Sequence, residues 1–102
     1  MRRGEPIIGL VTSDMRFGNM VKEAASALGV RVKHVLSLDE LPLSIRVVIA
    51  EKRGRLDDRG RIILYKEDYE SVEELVERAS EIAVGELGYR LAAAVIDPGK
   101  SI

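Results

Sequence analysis

The sequence predicts an α/β fold built on a mainly parallel sheet, and three observations support this prediction. Short apolar runs rich in branched residues alternate with segments of helical periodicity, and short polar or glycine-containing stretches separate them. Strands and helices that alternate over short connections are typical of a parallel sheet covered by helices. The chain has 102 residues, 46% of them hydrophobic, which is enough for one domain with one core and too short for two.

The first third of the chain predicts a βαβ unit. Residues 7–11 form an apolar run that predicts a strand buried on both faces. The segment that follows has one apolar helical face, with Ser13 or Asp14 as the N-cap and Gly29 just past the end. Residues 30–36 alternate apolar and polar side chains, which predicts a strand near a sheet edge. The crossover between the two strands should be right-handed.

The second crossover is predicted to be short. Residues 37–42 have the composition of a single helical turn, in which Ser37 and Glu40 form a capping box. Because this turn stands where a full helix would normally lie, we expect a small Rossmann-like or receiver-like sandwich with two main helices.

Two interpretations fit residues 47–66. The turn composition of residues 57–60 favours a β-hairpin that pairs residues 47–56 with residues 61–66. The alternative is a plain loop that leads into a further strand at residues 62–65. The hairpin is slightly favoured.

A clear helix and a last strand are predicted for the C-terminal third. Ser71 and Glu74 form a second capping box ahead of an apolar helical face, and Gly85 is predicted to end the helix. Gly88 then breaks the chain, and residues 91–96 form the final strand. The prediction is thus one α/β domain over residues 1–102, with four or five strands.

Composition excludes several classes of function. The 16 Lys and Arg nearly balance the 17 Asp and Glu, so the net charge of -1 gives no general attraction to nucleic acid or to a membrane. Cysteine is absent, which excludes disulfides, thiol catalysis and cysteine-based zinc sites. No apolar run reaches the roughly 18 residues that span a bilayer, so we expect a cytoplasmic protein. Many charges and few amides resemble the residue usage of hyperthermophiles.

The first candidate site follows the first predicted strand. In open α/β sheets, ligands bind at the carboxyl ends of the strands, beside a helix N-terminus. The polar residues there are Thr12, Ser13, Asp14, Arg16 and Asn19, which could hold a phosphate or a carboxylate. The glycine-rich fingerprints of dinucleotide and P-loop phosphate sites are missing. The favoured interpretation is therefore that these residues only cap the helix and face solvent.

The second candidate site is a basic segment. Its members are Lys52, Arg53, Arg55, Arg59 and Arg61. They form the densest positive patch, but acidic residues lie among them and no aromatic residue is present to stack on a base. A solvated loop is the favoured interpretation, and nucleic acid is expected to bind only if this loop contacts its backbone.

Catalytic chemistry has little support. His34 is the single histidine, and its place in an alternating strand predicts a half-buried structural role. With no cysteine and one histidine, only carboxylates remain for a hard metal such as Mg²⁺. We therefore expect no cofactor in this chain by itself.

The C-terminal motif suggests a relationship. Residues 95–101, VIDPGKS, resemble the first strand of the RuvC-like branch of the RNase H-like nucleases. The resemblance implies that Asp97 is the first ligand of a catalytic magnesium, which needs further carboxylates from later segments. It also implies that residues 91–102 begin a RuvC-like domain, and that Mg²⁺ is required only if such a domain follows. The arrangement is similar to that of archaeal proteins with a RuvC-like second domain.

Three hypotheses of function follow. The first is a non-catalytic interaction or regulatory module, forming the N-terminal part of a RuvC-like nuclease-family protein. The second is a free-standing small-molecule or phosphate-binding domain that uses residues 12–19. The third is a small structural domain that self-associates through an exposed strand, as in a homodimer. No other partner is indicated.

Overall fold

The computed structural model describes residues 6–53 and 60–95, with the side chains of this part described up to residue 85. Its main elements are β1 (Ile7–Val11), α1 (Met15–Ala27), β2 (Arg31–Val35), β3 (Val47–Ala50), β4 (Ile62–Tyr65) and α2 (Val72–Val95). Two single turns of 3₁₀-helix, Leu38–Glu40 and Lys66–Asp68, follow β2 and β4.

The four strands form one sheet in the order β2-β1-β3-β4, and every neighbouring pair is parallel. The α/β fold with a parallel sheet and two main helices is therefore confirmed, and it is consistent with a small Rossmann-like sandwich. The short second crossover is confirmed as well, since Leu38–Glu40 is the helical turn between β2 and β3. The side chain of Ser37, however, bonds to Asp39 and makes no capping bond.

The predicted hairpin is wrong. Val47 lies beside Ile62 and Ala50 beside Tyr65, so β3 and β4 run in the same direction. The alternative, a loop leading into a further strand, is correct, although residues 54–59 of that loop lie outside the described part. The composition of a turn does not determine whether the strands on either side of it are parallel or antiparallel. The burial of a strand on both of its faces is the better indication of a parallel sheet. All four residues of β3 are buried, as in a strand covered on both faces.

The predicted strand at residues 91–96 is also wrong up to Val95, because α2 continues to that residue. Neither Gly85 nor Gly88 ends the helix. A glycine inside a helix costs about 1 kcal/mol relative to alanine, and the neighbouring alanines, leucines and glutamates are strong helix formers. The residues from Ile96 onwards lie outside the described part.

Both helices pack on the same face of the sheet. The alternate residues of β1 and β3 that point to this face meet the apolar stripes of α1 and α2 in one buried cluster. Its central members are Ile8, Leu10, Phe17, Val21, Val47, Ile49, Leu75 and Val76. This first face is the main core of the domain.

The second face of the sheet is covered by the segment of residues 36–46. Leu38, Leu41 and Ile45 from this segment pack against Val35 and Val48 of the sheet. The segment comes very close to β1, where Gly9 has no side chain. A Cβ added at Gly9 would lie 2.6 Å from Leu41 Cδ1, well inside the distance that carbon atoms tolerate. Glycine at this position therefore allows Leu41 to reach the sheet.

We predict that Gly9→Ala destabilises the domain by about 1–3 kcal/mol, because the new methyl group overpacks the second face. Gly85→Ala is the matched control. Nothing lies within 4 Å of a Cβ placed at Gly85, an exposed position inside α2, so this change should stabilise the protein by about 0.5–1 kcal/mol. Urea unfolding of both variants measures the two effects, and equal effects would contradict the packing argument.

Candidate functional site

The carboxyl ends of β1 and β3 bring two polar side chains together. Thr12 follows β1 directly, and Glu51 follows the neighbouring strand β3. Thr12 is buried and its Oγ1 donates a hydrogen bond to Glu51 Oε1 at 2.5 Å. The same oxygen accepts a bond from the backbone N–H of Asp14 at 2.9 Å. The threonine hydroxyl, through its donor and one acceptor position, therefore joins the loop after β1 to the end of β3.

Asp14 is the N-cap of α1. Its Oδ1 accepts hydrogen bonds from the backbone N–H groups of Arg16 and Phe17, at 3.0 and 3.2 Å. These amides are the groups that a bound phosphate would take at a helix N-terminus. Of the other residues predicted for a ligand site, Ser13, Arg16 and Asn19 are exposed. The capping interpretation holds for Asp14, and the protein's own carboxylate occupies the anion-binding position.

His34 supports this loop from the neighbouring strand β2. Its Nε2 lies 2.9 Å from the backbone carbonyl oxygen of Thr12. The ring packs against α1 at Gly18, where an added Cβ would lie 3.1 Å from His34 Cε1. The histidine is half-buried, as predicted. Gly18, which weakens the helix by itself, makes room for the imidazole ring.

Arg53 is paired with acidic residues. Its guanidinium bonds to Asp68 at 2.5 Å and to Glu67 at 2.8 Å, and it lies 4.2 Å from the centre of the Tyr65 ring. The hydrogen bond to Asp68, and then that to Glu67, raises the pKa of Arg53 above its ordinary value. The guanidinium of Arg53 therefore stays positively charged until the solution is strongly alkaline. Arg53 thus joins the end of β3 to the turn after β4.

Arg61 does not belong to an exposed basic patch, which corrects the sequence prediction. It is only 7% exposed, and its guanidinium donates to the backbone carbonyls of Leu38, Leu41 and Pro42, at 3.4, 2.9 and 3.0 Å. It thereby holds the segment that covers the second face. Side chains along an extended chain point alternately to the two faces of the sheet. Arg61 directly precedes β4 and therefore lies on the same face as Ile63, beneath the segment of residues 36–46.

The predicted basic patch is therefore divided. Lys52 is exposed, Arg53 is exposed and ion-paired, and Arg61 is buried. Arg55 and Arg59 lie outside the described residues, as does Asp97 of the C-terminal motif. The described members of the patch are thus not brought together on one accessible surface.

Glu51 is the site residue that the sequence analysis did not single out. A usable signal was present, because Thr12 and Glu51 each follow an apolar run directly. Two such positions become neighbours when the strands are parallel and adjacent. The hairpin interpretation of residues 47–56 hid this, since it placed Glu51 in the middle of a strand.

Other ligand chemistry finds no support in the described part of the chain. Among residues 6–53 and 60–95, no group of three or more histidines or acidic residues could hold a metal ion. No helix in that part is both long enough and apolar enough to cross a membrane. Comparisons with protein-family models, with curated proteins and with solved structures found no match for this chain.

We predict that Arg61→Ala destabilises the domain by about 2–4 kcal/mol, because it leaves three covered backbone carbonyls without a charged donor. Lys52→Ala is the control, since it also removes one positive charge but from an exposed position, and it should change stability by less than about 0.5 kcal/mol. Urea unfolding at two salt concentrations separates this effect from screening. Similar effects of the two variants would refute the bracing role of Arg61.

Proposed function

We propose that this chain is a non-catalytic α/β interaction module. The observation that carries the proposal is that the polar groups at the carboxyl edge of the sheet bond to one another. Thr12 bonds to Glu51, Asp14 to the helix amides, and His34 to the backbone of Thr12. In a ligand-binding α/β domain, this edge is where groups are left available for a ligand.

The charge at this edge also argues against an anionic ligand. Two carboxylates lie at this edge: that of Glu51 accepts a bond from Thr12, and that of Asp14 accepts bonds from the first amides of α1. A phosphate at the N-terminus of α1 would have to displace the Asp14 carboxylate and would then lie near Glu51. Arg16 is the nearest cation in sequence, but its side chain is exposed. The phosphate-binding alternative therefore has weaker support than the interaction module.

Catalysis at this edge is disfavoured for a related reason. A nucleophile or a general base needs access to the substrate and a free position for proton transfer. The Thr12 side chain is buried, and its hydrogen bonds to Glu51 and from Asp14 use its donor and an acceptor position. His34 contacts a carbonyl oxygen with one nitrogen and packs on Gly18. This cluster has the character of a structural support.

A thermal-shift panel tests this proposal. We expect phosphate, mononucleotides and dinucleotides, each with and without Mg²⁺, to leave the melting temperature of the full chain unchanged. Arg16→Ala is the control, because it removes the cation of the alternative site without touching the core. A nucleotide that raises the melting temperature of the original protein, but not that of Arg16→Ala, would establish the ligand-binding alternative instead.

We further propose that the module precedes a RuvC-like nuclease domain. The support for this is the VIDPGKS sequence of residues 95–101 alone, since Val95 ends α2 and the other residues of the motif lie outside the described part. In that context Asp97 would be the first magnesium ligand, while the module itself would remain non-catalytic.

The gene tests this part of the proposal separately. We expect the reading frame after Ile102 to continue with a glycine and then a β-rich segment that carries further Asp and Glu, because one carboxylate cannot hold two metal ions. The control is a Mg²⁺-dependent cleavage assay of the present chain, in which we expect no activity on DNA. A stop codon directly after Ile102 would refute the nuclease context and leave the interaction module untouched.

A further inference from the structure

We propose that two copies of this chain associate edge to edge, with β4 of one copy pairing antiparallel to β4 of the other around Ile63. This inference rests on the proposed function as an interaction module, and it names the surface and the partner. The result is a continuous eight-stranded sheet related by a two-fold axis.

The two edges of the sheet differ in how well they resist pairing. The edge strand β2 has the sequence RVKHV, and its Arg31 and Lys33 side chains are exposed. Charged residues, especially lysine, are the usual protection of a sheet edge against pairing with another chain. The opposite edge strand β4 has the sequence IILY and carries no charge. Only β4 therefore has the composition of a strand that pairs.

Among residues 6–53 and 60–95, none bonds to the outward-facing backbone groups in the middle of β4. The N–H of Ile62 points inwards and donates to the carbonyl of Arg46 at 2.8 Å. In a parallel pair, the N–H and C=O of successive residues point alternately to the two neighbours. The N–H and C=O of Ile63 therefore point away from β3, at the middle of the edge strand.

Symmetry restricts the register of a β4 pair. A two-fold axis perpendicular to the sheet keeps the helices of both copies on the same face, and residues that lie directly opposite share a face. Each residue of β4 must therefore lie opposite a residue that is an even number of positions away. This holds only if one residue of β4 lies opposite the same residue of the second copy, with the axis between them. If the axis is at Ile63, this residue exchanges both of its outward hydrogen bonds with Ile63 of the second copy.

The side chains fit this register on both faces. On the helix face, Ile62 is 37% exposed and would lie opposite the buried Leu64 of the second copy. On the second face, Ile63 packs against the cluster around Val48 and would meet its own counterpart. Apolar and β-branched cross-strand pairs of this kind stabilise sheets. At the ends of the pair, Lys66 would lie opposite Gly60 of the second copy, and Tyr65 opposite Arg61.

A contact between two β4 strands is also more favourable than a contact between β4 of one copy and β2 of the next. If β4 paired with β2 of the next copy, Arg31 and Lys33 would join the new contact, and the assembly would remain open at both ends. In the β4–β4 pair the charged residues Arg61 and Lys66 lie only at the two ends of the contact, and the assembly closes as a dimer. A second copy is therefore the partner that this edge fits.

Sedimentation equilibrium of the full chain tests the proposal. We expect a species of twice 11.3 kDa that dissociates on dilution. Ile63→Pro should weaken the dimer by about 10- to 100-fold, because each dimer loses two N–H donors of the central pair. Proline is tolerated on an edge strand where the N–H faces outwards. The matched control is Val32→Pro. The N–H of Arg31 points inwards to the carbonyl of Pro6, so the N–H of the next residue, Val32, points outwards from the opposite edge of the sheet. This control should leave the dimer unchanged.

A second variant keeps the test valid if the proline variant does not fold. Ile62→Lys changes a partly exposed side chain and places a charge opposite Leu64 of the second copy, so it should also weaken the dimer. Circular dichroism verifies the fold of each variant. The proposal would be overturned if the chain stayed monomeric at all concentrations up to about 0.5 mM, because the Kd of the dimer would then exceed that value.

Two further outcomes would also overturn it. A dimer that both folded β4 variants leave intact would show that another surface is used. Open-ended species that Val32→Pro also disrupts would show pairing of β4 with β2. The two proposals fail in different experiments. If only the dimer proposal is wrong, the chain is monomeric in sedimentation and no ligand changes its melting temperature. If the proposed function is wrong, a ligand raises the melting temperature.

Discussion

The covering of the second face of the sheet is the constraint on which the rest of this structure depends. A parallel sheet must be buried on both sides, yet α1 and α2 lie on the same side. The other side is covered by residues 36–46, which have little regular structure beyond the single turn Leu38–Glu40. Gly9 gives Leu41 space to reach the sheet, and Arg61 holds the segment by donating to the carbonyls of Leu41 and Pro42. Gly9 and Arg61 thus position an irregular segment on the face that a helix would normally cover.

The same parallel topology explains the polar cluster at the carboxyl edge. Parallel strands end together, so the first polar residues after β1 and β3 meet there, and β2 contributes His34. In this protein, these groups bond to one another and to the start of α1. The edge that binds ligands in many α/β domains thus serves here to hold the loops together.

The sheet has an asymmetry that follows from its strand order. In the described part of the chain, β1 and β3 are the central strands of the sheet and β2 and β4 are its edge strands. Charged side chains protect β2, but the apolar residues of β4 contribute to both cores and cannot be replaced by charges without loss of packing. An edge strand that must stay apolar is most readily protected by a partner strand.

The sequence by itself determined the fold class, the position of β1 and the capped start of α1, because these depend on local periodicity and on single capping residues such as Asp14. It also indicated the structural role of His34. Only the tertiary structure decided the direction of β4, the continuation of α2 through Gly85, the burial of Arg61 and the pairing of Glu51 with Thr12. These features depend on which elements become neighbours. Local preferences of about 1 kcal/mol per residue are too small to determine that choice.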